Sequence, residues 1–167
     1  APIATAQATH LGLELKPWTR QTQEAEAATL KQFEPIVDKE ILPLVGRYAR
    51  YKKVDFLAGS KEPWATPVPK LADLIKAGKV LQLCAESHAF RREPAKAWAY
   101  VRAQLGLADM IAGERFLLGA MVTVALRRQA VQTVLVIAET APEMPMPKDV
   151  VKRLESILED RVVIRGL

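Results

Sequence analysis

With 167 residues, half of them hydrophobic and 26% charged, the chain has globular composition, which excludes disordered and collagen-like classes. A domain of this size hides roughly 70% of its unfolded surface, so neither metal nor disulfide is needed for folding, and the single Cys84 excludes an intrachain disulfide. The net charge of +5 is a modest excess, densest at Arg47, Arg50, Lys52 and Lys53. No Gly-aromatic or helix-turn-helix signature accompanies those bases, so no nucleic-acid partner is expected. A solvated helix end accounts for them, with peripheral membrane contact or an acidic protein as the alternatives.

The chain opens Ala1-Pro2-Ile3 without an initiator Met, which reads as the start of a mature exported product (periplasmic or secreted) or of a trimmed chain. Residues 1–17 are a tail or edge strand, since only Leu11 to Leu15 alternates with period two. Thr19 or Thr22 supplies a helix N-cap, with Glu24 and Glu26 in the first turn, for a helix over about 19–34. Pro35 and Pro43 interrupt the next segment, where Ile36, Val37, Ile41, Leu44, Val45 and Tyr48 keep helical spacing, so 36–53 is expected as kinked helix. Gly59-Ser60, Pro63, Pro67 and Pro69 make 54–69 an irregular connection, pinned by Trp64.

After Pro69 the periodicity sharpens. Leu71, Leu74, Ile75, Gly78, Leu81, Cys84, Ala85 and His88 fall on one helical face. Arg91-Arg92-Glu93-Pro94 forms a turn, and Ala97, Trp98, Val101, Leu105, Ala108 and Ile111 continue the stripe on a second, antiparallel helix. Beyond Gly113 a central helix of about 114–140 is expected, roughly 40 Å long. Its uncharged run from Phe116 to Leu126 is about 11 residues where a membrane span needs about 20. Arg127-Arg128 would fall at the bilayer centre, so the helix reads as the core of a soluble domain. The prolines of 141–147 break it. Asp149, Val150, Val151, Leu154, Ile157 and Leu158 then define a last helix ending near Glu159, with Val162 to Ile164 as a terminal strand pairing with Leu11 to Leu15.

Leu81, Cys84-Ala85 and His88 on the first helix of the hairpin, with Ala97 and Val101 on the second, give residues 81–109 a spacing that resembles a tetratricopeptide-type unit. His88 and Val101 stand at that family's aromatic positions, Pro94 occupies its turn, and Asp109 stands near its closing proline. The resemblance implies a helical-hairpin binding scaffold.

Candidate chemistry is sparse. Cys84 and His88, four residues apart, are spaced for a thiolate–imidazole pair or two zinc ligands, but no second Cys and no third His exists, and both lie on the core stripe. His10 belongs to the tail, and Asp109, Glu114, Glu139 and Glu143 are scattered at element ends. Phosphate-loop, nucleophile-elbow and zinc-protease patterns are missing. No catalytic residue, metal or cofactor is therefore expected. Arg127 and Arg128 point about 100° apart on their helix, so at least one guanidinium needs a partner inside the protein, lines a pocket for an anionic group, or belongs to a partner interface.

The expectation is an all-α single domain, five or six helices around 114–140, acting as a non-catalytic module that binds a protein or peptide partner beside the 70–112 hairpin. The alternative is a carrier of an apolar ligand with an anionic head, in which Trp98, Leu117, Met121 and Val124 line a cavity ending at Arg127 and Arg128. A third reading is an enzyme using Cys84 and His88.

Overall fold

The computed structural model describes residues 30, 34–48, 71–112 and 117–165. Among the described residues the fold is all-α, without strands: a π-helical turn, Val37–Ile41, runs into α1 (Leu42–Tyr48), followed by α2 (Leu71–Phe90), α3 (Pro94–Ile111), α4 (Leu117–Thr140) and α5 (Lys148–Arg165). The Leu11–Leu15 strand, the Thr19 and Thr22 caps, the 54–69 connection with Trp64, and Glu114 lie outside the described residues.

Pro43 explains the π turn. It has no N–H to offer the Lys39 carbonyl, and in α geometry its ring would collide with that group. The chain widens just before it instead, and the Leu42 N–H reaches five residues back to the Val37 carbonyl. The expected kink is thus absorbed within a helical path from 34 to 48.

The hairpin turn is a Schellman motif. Glu93 N–H donates to the His88 carbonyl at 2.9 Å and Arg92 N–H to that of Ala89 at 3.0 Å. The left-handed position, usually glycine, is held by Arg92 at φ 61°. Its side chain offsets the strain by donating to the Thr140 carbonyl at the end of α4 (3.0 Å) and pairing with Glu143 (2.5 Å). Pro94 starts α3, where no N–H is missed.

α2, α3 and α4 pack mutually, and α1 and α5 join the assembly through α3. Residues 103–108 of α3 are buried without interruption, so that stretch is covered on all sides. Two glycines permit this enclosure. A Cβ at Gly78 would lie 2.6 Å from Leu126 Cδ2 and 2.5 Å from Gln129 Oε1, while the Gly78 carbonyl accepts from buried Gln104 Nε2 at 2.9 Å. A Cβ at Gly106 would meet Val45 Cγ1 at 3.1 Å. Fully enclosed Leu81, Leu105, Ile111, Leu126 and Ile137 form the centre of the core, each worth about 1.5–3 kcal/mol relative to exposure.

α5 leans on α3, and its Val150 and Ile157 are buried. A bidentate Arg102–Asp149 pair (2.6 and 3.0 Å) and Arg153–Asp109 reinforce the contact. Asp149 stands in the first turn of α5, as its sequence position implies. Val162 to Ile164 correct the expected strand: they are helical, because α5 continues to Arg165. Their β-branched character is a weak local preference, and extending an existing helix needs no new nucleus.

Among the described residues, one segment, Gly119–Thr140 in α4, is long and apolar enough to cross a membrane, at a mean hydropathy of 1.3. Its inner face packs on α2 and α3 through Val122, Leu126, Ala130, Val134 and Ile137. The outer face adds apolar residues of its own, which is why the whole helix reads as hydrophobic.

Candidate functional site

Two features stand out, a buried polar cluster at the hairpin end and an uncovered apolar line along α4. The cluster centres on His88, near the end of α2, whose side chain is fully buried. Its Nδ1 lies 2.5 Å from Glu93 Oε2 just past the turn. Nε2 lies 2.9 Å from Glu34 Oε1, at ion-pair distance but off the line of a well-aligned hydrogen bond. The imidazole stacks on Tyr100 with centroids 5.3 Å apart and planes 16° from parallel. Tyr100 in turn donates its hydroxyl to Asp38 Oδ1 at 2.5 Å. Glu34 also pairs with Arg91 (3.3 Å) and Lys96 (3.7 Å). The segment at 34–48 is thereby latched to the hairpin through two acids four residues apart, Glu34 and Asp38, which share a helical face.

Burial pushes the Glu34 carboxyl up, but His88, Arg91 and Lys96 together outweigh it and hold it below its ordinary value of 4.5. The hydrogen bond with His88 likewise lowers Glu93. Both folded values lie below the unfolded ones, so this stabilisation is complete above the ordinary carboxylate range and is lost as pH falls through the folded values. Glu34→Gln is accordingly expected to be less stable than the parent at neutral pH, with the deficit shrinking in acid. Denaturant titrations across the acid range check this, and a deficit that stays constant with pH would refute it.

Burial, followed by the charges of Glu34 and Asp38, pushes the Cys84 thiol up to about 12, so it stays protonated at neutral pH. The His88 nitrogens face carboxylates. Cys84 and His88 therefore share a core without forming an activated nucleophile. No group of three His, Cys, Asp or Glu among the described residues is placed to hold a metal ion.

The four residues expected to bind a ligand are not gathered in one enclosed cavity. Trp98 is buried at 4% exposure, whereas Met121 is 60% exposed. Arg128 is exposed and Arg127 half-buried. This separation follows from the 100° step between neighbours on a helix. Val124, the other expected lining residue with a described side chain, is 53% exposed on the outer side of α4.

These outer residues form a pattern that attention to the Arg pair alone overlooks. Met121, Val124, Arg128, Val131, Leu135 and Ala138 follow one another at alternating steps of three and four, the spacing of a coiled-coil seam. Met121, Val124, Arg128 and Ala138 are exposed, and Val131 and Leu135 half-buried. The line runs opposite the core face of Val122, Leu126, Ala130 and Ile137, so α4 has two apolar faces, of which the described residues cover one. Its spacing is legible in the sequence, but which face meets the core is not. The chain matches no protein-family model, and neither a curated protein nor a solved structure is found to be similar to it.

Proposed function

We propose that the protein is a non-catalytic helical binding module that takes a protein or peptide partner along the outer face of α4. The observation that carries this reading is the uncovered seam from Met121 to Ala138, backed by a face locked into the core. Singly scattered surface apolar residues are ordinary, but apolar side chains aligned on a rigid helix offer a partner helix a continuous groove. Of the tetratricopeptide-type resemblance, the reading retains only the α2–α3 hairpin as scaffold. α4 packs on that hairpin, and this support moves the proposed surface from beside the hairpin to the far side of α4.

Site-specific photocrosslinking in the source cells tests the proposal. A photoreactive residue at Val124 is expected to give a discrete protein adduct, whereas one at exposed Lys152 on α5 gives none. Equal labelling from both positions, or no adduct from Val124, would remove the reading.

A further inference from the structure

His88 is held by carboxylates from two different parts of the chain. Glu93, just past the end of α2, faces Nδ1 at 2.5 Å, and Glu34 of the 34–48 segment faces Nε2 at 2.9 Å. Tyr100 of α3 stacks on the ring and donates its hydroxyl to Asp38 of the same segment, while Arg91 and Lys96 stand behind Glu34. The imidazole is fully buried, so water reaches neither nitrogen.

A neutral imidazole has one N–H and one lone pair. Between two ionised carboxylates, one carboxylate oxygen then faces the lone pair, with no water at that nitrogen to relieve the contact. An imidazolium offers an N–H to each side. The second proton on His88 therefore ties the 34–48 segment to the hairpin, provided that Glu34 is ionised.

The rest of the attachment lets this segment leave as a unit. α2, α3 and α4 pack on one another, whereas α1 joins them through α3. Val37 and Val45 carry its buried apolar contact, and Val45 lies against α3 at Gly106. The buried Cys84 thiol, one turn before His88, is acted on by the charges of both Glu34 and Asp38, which places it under the same segment.

We propose that the 34–48 segment is a proton-gated latch, closed on the hairpin while His88 carries a proton on each nitrogen and Glu34 is ionised. It opens, with α2, α3 and α4 folded, when His88 loses one proton or Glu34 gains one. Opening uncovers Tyr100, the Gly106 side of α3 and the Cys84 thiol. The acid limit lies below the ordinary carboxylate value of 4.5, because the folded Glu34 carboxyl is held lower and its stabilisation is lost as pH falls through that folded value. The other limit follows the titration of His88.

Cys84 is the single cysteine, so its labelling by dithiodipyridine reports the opening. Dividing the rate in the native full chain by that in the urea-unfolded chain at the same pH removes the thiol's own titration. The ratio is expected to rise at least about tenfold as His88 loses its proton, with the midpoint of the imidazole titration read by NMR and most of the helical circular dichroism retained. It is expected to rise again in acid. Glu34→Gln should flatten the rise linked to His88, because an amide turns either its oxygen or its NH2 group to the ring. A ratio that stays flat, a thiol that never reacts, an imidazole that does not titrate, or a rise that comes only with loss of helix overturns the latch. So does a Glu34→Gln variant that keeps the parent's pH profile.

Discussion

Replacing His88 with alanine is expected to lower the unfolding free energy by about 3–5 kcal/mol. Three losses combine. The imidazole is fully buried, so its removal leaves a cavity where Tyr100 now stacks. The stacking itself contributes about 0.5–1.5 kcal/mol. Glu34, with a side chain only 17% exposed, then loses its nearest nitrogen, and a carboxylate left near the core is costlier than one that was never placed there. His88→Phe separates these effects, because it refills the space and keeps a ring against Tyr100. It is expected to recover part of the alanine deficit but not the loss at Glu34. Equilibrium denaturation of both variants checks this, and an alanine variant within about 1 kcal/mol of the parent would show that the cluster contributes little.

The second large effect is expected where α2 and α4 cross. Leu126→Ala removes a fully buried side chain, and such truncations cost about 2–5 kcal/mol according to how far the site relaxes. Gly78→Ala acts at the same point from the other side, since the added methyl lies 2.6 Å from Leu126 Cδ2. Overpacking there costs about 1–3 kcal/mol and exceeds the helix-propensity gain of about 1 kcal/mol, because enclosed Leu126 has little room to retreat. Alone, Gly78→Ala should destabilise by about 1 kcal/mol. Combined with Leu126→Ala, its methyl is freed of the leucine and meets only the flexible end of Gln129, whose Oε1 lies 2.5 Å from its position. The double variant is then expected to be more stable than the sum of the single changes implies, by about 1 kcal/mol or more. Strict additivity would show that the two side chains do not meet.

How much of this was legible in the sequence depended on whether a feature is local. The α2–α3 hairpin was, because the stripe from Leu71 to His88, Pro94 at the start of a helix, and the stripe from Ala97 to Ile111 are short-range signals. Pro43 announced a disturbance, and only its form, a π turn ahead of the proline, required the structure. Val162 to Ile164 misled because β-branched residues suggest a strand, while helix continuation through α5 is decided by what precedes them.

The polar cluster was half visible. His88 stood out beside Cys84, but Glu34 lies 54 positions away in sequence and Tyr100 reaches Asp38 across 62 residues. No local pattern reports such contacts, although Glu34 and Asp38, spaced for one helical face, were a usable hint. α4 was the hardest element. Apolar residues on both sides blur its periodicity, so the sequence suggested a helix enclosed all round, whereas the stretch covered on all sides belongs to α3. Arg127 and Arg128, read as one anomaly, occupy different environments, and only Arg128 belongs to the seam.

The central claim is that α4 has one face for the core and one for a partner. Equilibrium denaturation of Val124→Asp tests it most directly, since a charge is then placed in mid-seam, two residues from the enclosed Leu126. An exposed docking face predicts an unfolding free energy within about 0.5 kcal/mol of the parent. A loss of about 2 kcal/mol or more would mean that Val124 is covered within the folded chain, and would contradict the account.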